Sequence, residues 1–162
     1  MKQNTYIGVI GGRECSKQQA RFAFEVGSLI AREGWILICG GMGGVMEMAC
    51  RGAQQNQGVT IGILPGNARE ESNPWLSYSI VTGLGEARNS LVVKSCQAVI
   101  AVAGSFGTLS EMAFAGILGV PVVGLDTWVI DPEVNGGARV CTYKAENPGQ
   151  AIEYVKQLLS IS

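Results

Sequence analysis

The chain has 162 residues, of which 47% are hydrophobic and 15% charged, with a formal net charge of −1. That length suits one domain spanning 1–162 and able to bury roughly 70% of the surface its unfolded chain exposes, and the near-neutral balance argues against the basic footprint of a nucleic-acid binder. There is no histidine, which removes histidine general bases, Ser-His-Asp and Cys-His nucleophiles and histidine metal sites together, so no metal site is expected.

In chain order, six short apolar runs read as strands: Tyr6–Ile10, Trp35–Cys39, Val59–Leu64, Tyr78–Val81, Ala98–Val102 and Pro121–Leu125. Several are nearly continuous in Val and Ile, as parallel strands buried on both faces are. Helical spacing fills the intervals. Gln18–Arg32 sets Phe22, Val26, Leu29 and Ile30 on one side, with Gly34 as its stop. Val45–Gln55, Ala87–Ser95 and Leu109–Leu118 follow, the last ended by Gly119. Pro148–Leu159 closes the series, with Asn147 as a candidate N-cap. Arg139–Tyr143 is a candidate seventh, edge strand, and Gly66–Trp75 and Asp126–Ala138 read as loops. Alternation of this kind predicts an α/β, Rossmann-like doubly wound sheet of six or seven mainly parallel strands with helices on both faces. Such sheets bind ligands outside the carboxyl ends of their strands.

The five cysteines include no C-x-x-C pair. They read as reduced, mostly buried thiols of a cytoplasmic protein. Met1–Thr5 is short and polar and leads straight into a strand, which is not a signal-peptide pattern. No apolar run approaches the ~20 residues of a membrane span, so no membrane partner is expected. The light surface charge leaves apolar area for self-association.

Two glycine-rich turns each open a helix: Gly40-Gly41-Met42-Gly43-Gly44 after the second strand and Gly104-Ser105-Phe106-Gly107-Thr108 after the fifth. Helix starts carry unpaired N–H groups and partial positive charge, and glycine lets an anion approach the backbone. Two such starts on one sheet edge predict a phosphate site. Gly11 and Gly12 after the first strand, and Met46 just inside the second helix, are counted with these loops as candidate contacts, although the spacing of Met46 also fits the core. The dinucleotide fingerprint G-x-G-x-x-G and the G-x-x-x-x-G-K-[ST] loop are both absent.

Arg88 and Glu111 are the candidate catalytic pair. Were the fourth and fifth strands neighbours, both side chains would reach one cleft, and the cation would keep the carboxylate ionised for work at an anomeric carbon. Thr108-x-x-Glu111 also reads as a capping box, and Arg88 as a plain ion pair; both readings stand. Asn89 beside Arg88 suits a sugar hydroxyl or a helix start, while Arg13 and Ser16 suit a phosphate or a turn.

Gly40–Ala53 (GGMGGVMEMACRGA), Gly62–Gly66 (GILPG), Val81–Asn89 (VTGLGEARN) and Gly104–Glu111 (GSFGTLSE) together resemble the Lonely-guy and molybdenum-cofactor carrier superfamily, a group once labelled lysine decarboxylases. The resemblance covers about Tyr6 to Leu125. Gly34-Trp35-Ile36-Leu37 and Val81-Thr82-Gly83-Leu84-Gly85 are nearer the carrier branch. That branch implies a homo-oligomer, a homodimer or homotetramer, that binds a pterin phosphate cofactor without altering it. The expected function is accordingly binding of a phosphorylated nucleotide- or pterin-type ligand, molybdenum cofactor among the candidates, with no required cofactor. The Lonely-guy branch implies hydrolysis of a nucleoside 5′-monophosphate to free base and ribose 5-phosphate. Its motif P-G-G-x-G-T-x-E-E, with an upstream Arg-Lys, is altered here: Ala103, Ser105, Ser110 and Asn89 replace the proline, second glycine, first glutamate and lysine, while Arg88 and Glu111 are retained. Nothing resembles a pyridoxal-phosphate site.

Overall fold

The structure is a computed structural model that describes residues 4–129 and 143–161. Its strands are β1 (Tyr6–Ile10), β2 (Ile36–Cys39), β3 (Thr60–Leu64), β4 (Tyr78–Val81), β5 (Ala98–Val102), β6 (Val122–Leu125) and β7 (Tyr143–Ala145). Its helices are α1 (Lys17–Arg32), α2 (Val45–Gln55), α3 (Asn89–Lys94), α4 (Phe106–Leu118) and α5 (Pro148–Ile161), with single 3-10 turns at Arg69–Glu71 and Gly85–Arg88. All seven strands form one parallel sheet in the order β4-β3-β2-β1-β5-β6-β7. A seventh strand therefore lies at the edge beside β6, described over Tyr143–Ala145. The 139–142 part of the expected edge strand, Cys141 and most of the expected loop after Thr127 lie outside the described residues.

Each face of the sheet carries its own core. On one, Ile7, Val9, Leu37, Ile100 and Val123 pack under α1, α2 and α5 through Val26, Ile30, Ala49 and Val155. On the other, Ile10, Ile38, Val99 and Ala101 pack under α3 and α4 through Val92, Val93, Met112 and Ala115. Strands covered on both faces must be apolar at consecutive positions, which is why they read as unbroken Val and Ile runs. Helices α1 and α2 touch backbone to backbone. A Cβ added at Gly27 would lie 1.9 Å from the Ala49 carbonyl oxygen, and one at Gly52 the same distance from that of Phe24.

The helix ends follow local chemistry. Ser16 caps α1 in a reciprocal box with Gln19, so its role is that of a cap. Gly34, at φ +71°, and Gly119, at φ +69°, take the left-handed turn that ends α1 and α4. Asn147 Oδ1 accepts from the Gln150 N–H at 2.9 Å and starts α5. Among the described residues no helix is long and apolar enough to cross a membrane.

Candidate functional site

Strand order reverses between β1 and β5, and the crevice outside their carboxyl ends is where an open parallel sheet places ligands. A cavity of about 650 Å3 lies there. The turn after β1 supplies Gly11, Gly12 and Arg13, the turn after β5 supplies Gly104–Thr108, and α3 begins at its side with Arg88 and Asn89.

The strand order corrects one sequence expectation. β4 is the far edge strand, with β3, β2 and β1 between it and β5. Arg88 and Glu111 nevertheless line the same cavity, because the chain after β4 runs back along the carboxyl edge. The Gly83 N–H donates to the Gly66 carbonyl and the Gly85 N–H to the Pro65 carbonyl, both at the end of β3. The chain then reaches the end of β2, where a Cβ on Gly40 would lie only 2.1 Å from Arg88 Nη1. Gly40 is thus the floor beneath a guanidinium.

Helix α4 starts earlier than its periodicity suggested. Ser105 is the N-cap, and the reciprocal partner is Thr108, whose Oγ1 accepts from the Ser105 N–H at 3.3 Å. Glu111 therefore stands in the second turn and takes no part in a cap. The N–H groups of Phe106 and Gly107 find no partner among the described residues, and this polarised helix start opens into the cavity. Trp128, after β6, clamps the turn: its Nε1 donates to the Ser105 carbonyl at 3.1 Å, and its ring leaves no room for a Cβ at Gly104. Thr127 donates its hydroxyl to the Ala103 carbonyl. Ala103 sits at φ +56°, a conformation closed to proline.

The first glycine loop lies on the same rim but is used differently. The Val45 N–H at the start of α2 donates to the Gly12 carbonyl at 3.0 Å. Gly44 packs against the backbone of Gly12 and Arg13, and Gly41 against Leu64. Gly40, Gly41, Gly43 and Gly44 are thus absent from the cavity lining, whereas Gly11, Gly12 and Met46 belong to it. The two helix starts thus differ: the first N–H of α2 is taken by the chain's own Gly12 carbonyl, and α2 reaches the cavity through Met46.

Charge in the cavity is unusual. Arg88 is only 4% exposed, and its Nε and Nη1 have no hydrogen-bond partner. Burial pulls it below the ordinary arginine range, opposed by the charge of Glu111. Glu111 is 6% exposed. Burial pushes its carboxyl up to about 8, with Arg88 opposing and Glu86 adding to the rise. No ion pair joins Arg88 and Glu111 among the described residues. Burial thus works against the charged form of Glu111 more strongly than Arg88 favours it, whereas the sequence reading has the arginine keep the carboxylate ionised. Asn89 Nδ2 donates to Ser110 Oγ at 2.8 Å, and that hydroxyl donates to the Gly107 carbonyl at 2.7 Å. The residues that replace the superfamily's lysine and first glutamate thus satisfy each other. Arg13 and Glu86 face each other at the mouth, Nη2 to Oε1 3.6 Å apart. Sequence reasoning passed over Glu86, Glu14, Thr127 and Trp128. Only Glu86 carried a local signal, its place in the same glycine-flanked segment as Arg88.

A model described as the SLOG cluster4 family matches residues 4–156. A molybdenum cofactor binding protein from Rippkaea orientalis is similar in structure, with a TM-score of 0.88 and 36% identity, covering 98% of this chain and 99% of that one. A molybdenum cofactor carrier protein from Chlamydomonas reinhardtii gives a TM-score of 0.85 at 36% identity, covering 97% and 99%. An uncharacterised protein of Archaeoglobus fulgidus is 41% identical over 148 residues, 91% of this chain and 92% of its own.

Proposed function

The chain belongs to the SLOG cluster4 family, and from that premise we propose that it is a carrier that holds a phosphorylated pterin-type molecule, molybdenum cofactor or a close analogue, without altering it. The observation that carries this reading is the buried guanidinium of Arg88, lacking partners at Nε and Nη1 and lining the same cavity as the start of α4. A buried donor without an acceptor costs about 1–3 kcal/mol, more when charged, and a phosphate supplies the missing acceptors in a geometry that suits guanidinium. The N–H groups of Phe106 and Gly107 add donors, and Met46 and the Phe106 ring offer apolar surface to a fused ring. About 650 Å3 falls within the range of small-molecule sites.

The same geometry weighs against hydrolysis. Cleaving an N-glycosidic bond calls for a carboxylate to stabilise an oxocarbenium-like transition state. Here Glu111 is largely neutral below about pH 8, and Ser110 stands where the superfamily motif has its first glutamate. A neutral Glu111 serves instead as a hydrogen-bond donor to the ligand. The phosphoribohydrolase reading keeps one supporting observation, the shared cavity of Arg88 and Glu111.

Titration calorimetry with pterin phosphates and with AMP, beside an assay for released adenine, tests both readings. The carrier predicts saturable binding of a pterin phosphate and no adenine from AMP. Flat traces for every ligand defeat it, and adenine release that Glu111→Ala abolishes installs the hydrolase instead. We also propose self-association through α3 and α4, whose exposed side chains include Leu91, Ile117 and Leu118, with Ile117 77% exposed. Light scattering of the purified chain tests this; a monomer at micromolar concentration contradicts it.

A further inference from the structure

We propose that Glu86 is a built-in competitor for the anion site, a displaceable carboxylate that sets how strongly charged a ligand must be to enter. This inference rests on the anion site proposed above and assigns it a specificity-determining residue.

Glu86 lies in the 3-10 turn Gly85–Arg88, one turn ahead of α3. Its side chain lines the cavity together with Arg13, Arg88 and Gly107. A Cβ placed on Gly107 would come 3.9 Å from Glu86 Oε2. The carboxylate therefore hangs over the first turn of α4, the place where backbone donors and the helix dipole favour a negative group. On its other side Oε1 is 3.6 Å from Arg13 Nη2. In the free protein Glu86 thus supplies negative charge close to the groups that would otherwise receive the ligand's phosphate.

It is held loosely. The contact with Arg13 is longer than a hydrogen bond, and the two side chains are 55% and 71% exposed, the class of ion pair that contributes little. The backbone that carries Glu86 is a short arm with glycine in the left-handed region on both sides of Leu84, at φ +64° for Gly83 and +56° for Gly85. An incoming phosphate dianion outcompetes a single carboxylate for Arg13 and the start of α4, and Glu86 swings into solvent. A monoanionic carboxylate offers no such advantage, because it exchanges like for like. Arg13 changes partner in the process, from Glu86 to the ligand.

The test is titration of inorganic phosphate at pH 7 into the full chain and into Glu86→Gln, Arg13→Gln and Glu25→Gln, at low and at high salt. Glu86 and Glu25 are exposed, so both amide variants keep the fold. Removing a like charge a few ångströms from the bound anion should tighten phosphate binding about fivefold to tenfold in Glu86→Gln, and the gain should shrink in ~1 M salt. Arg13→Gln should weaken binding, and Glu25→Gln, an exposed carboxylate on α1 outside the cavity lining, should stay within about twofold of the parent. Binding seen only in Glu86→Gln also supports the proposal. Equal or weaker binding by Glu86→Gln, or an equal gain in Glu25→Gln, overturns it while leaving the anion site standing. Absence of binding in every variant removes the anion site itself, and this proposal with it.

Discussion

Replacing Glu111 by glutamine should change how stability depends on pH in a direction opposite to that of removing an ion-paired carboxylate. Burial raises the Glu111 carboxyl from 4.5 to about 8 in the folded chain. Between those values the folded state keeps a proton that the unfolded state has released. Stability then falls as pH rises, by up to ~1.4 kcal/mol for each pH unit. The loss begins near the unfolded value, is complete above the folded one, and is capped near ~5 kcal/mol. Glutamine imitates the neutral acid and cannot ionise. Glu111→Gln should therefore match the parent near pH 5, exceed it by a margin that widens through pH 6 and 7, and hold a constant lead above about pH 8. Urea unfolding followed by tryptophan fluorescence from pH 5 to 9 measures this. Parallel stability profiles would refute the reasoning. A parent that gains on the variant as pH rises would mean that Glu111 is ionised and paired with Arg88 after all.

Ligand affinity should follow the same titration. Phosphate binding should weaken as pH rises through about 8, where ionised Glu111 repels the anion and competes for Arg88, and calorimetry on Glu111→Gln should show that loss removed. Gly40→Ala puts a Cβ 2.1 Å from Arg88 Nη1; it should displace the guanidinium and weaken phosphate binding at least about tenfold, with the circular dichroism spectrum retained. Arg88→Lys should lose a similar factor, since an ammonium cannot reproduce the planar fork. Gly27→Ala and Gly52→Ala each drive a methyl to 1.9 Å from a carbonyl oxygen of the facing helix; each should cost about 3 kcal/mol or more in urea unfolding, because neither backbone can yield cheaply.

What the sequence made legible was whatever is settled locally. β1, β4 and β5 fall on their apolar runs to the residue, since each run is bounded by polar or turn residues. Gly34 and Gly119 end their helices because both take a positive φ. What escaped depends on contacts distant in sequence. Strand order is invisible to periodicity, so β4 and β5 could not be told apart as neighbours or strangers. Arg88 reaches Glu111 only by way of the return path over β3 and β2. The start of α2 resembles that of α4 in glycine content, but the Gly12 carbonyl occupies its Val45 N–H, and nothing in Gly40–Gly44 announces this. Helix α4 begins at Phe106 because the Ser105 and Thr108 pair is the box, whereas the apolar spacing becomes regular only from Leu109. The raised carboxyl of Glu111 comes from burial by elements distant in sequence, so motif spacing alone favoured the opposite charge state.

The central claim is that Arg88 and the start of α4 grip a phosphorylated ligand. It is tested most directly by mass spectrometry of the small molecules that co-purify with the native chain and with Arg88→Gln, prepared side by side. The account predicts a phosphate-bearing, pterin-type compound in near-stoichiometric amount with the native chain and its loss from the folded variant. Equal amounts in both, or a bound compound with no phosphate, would contradict it.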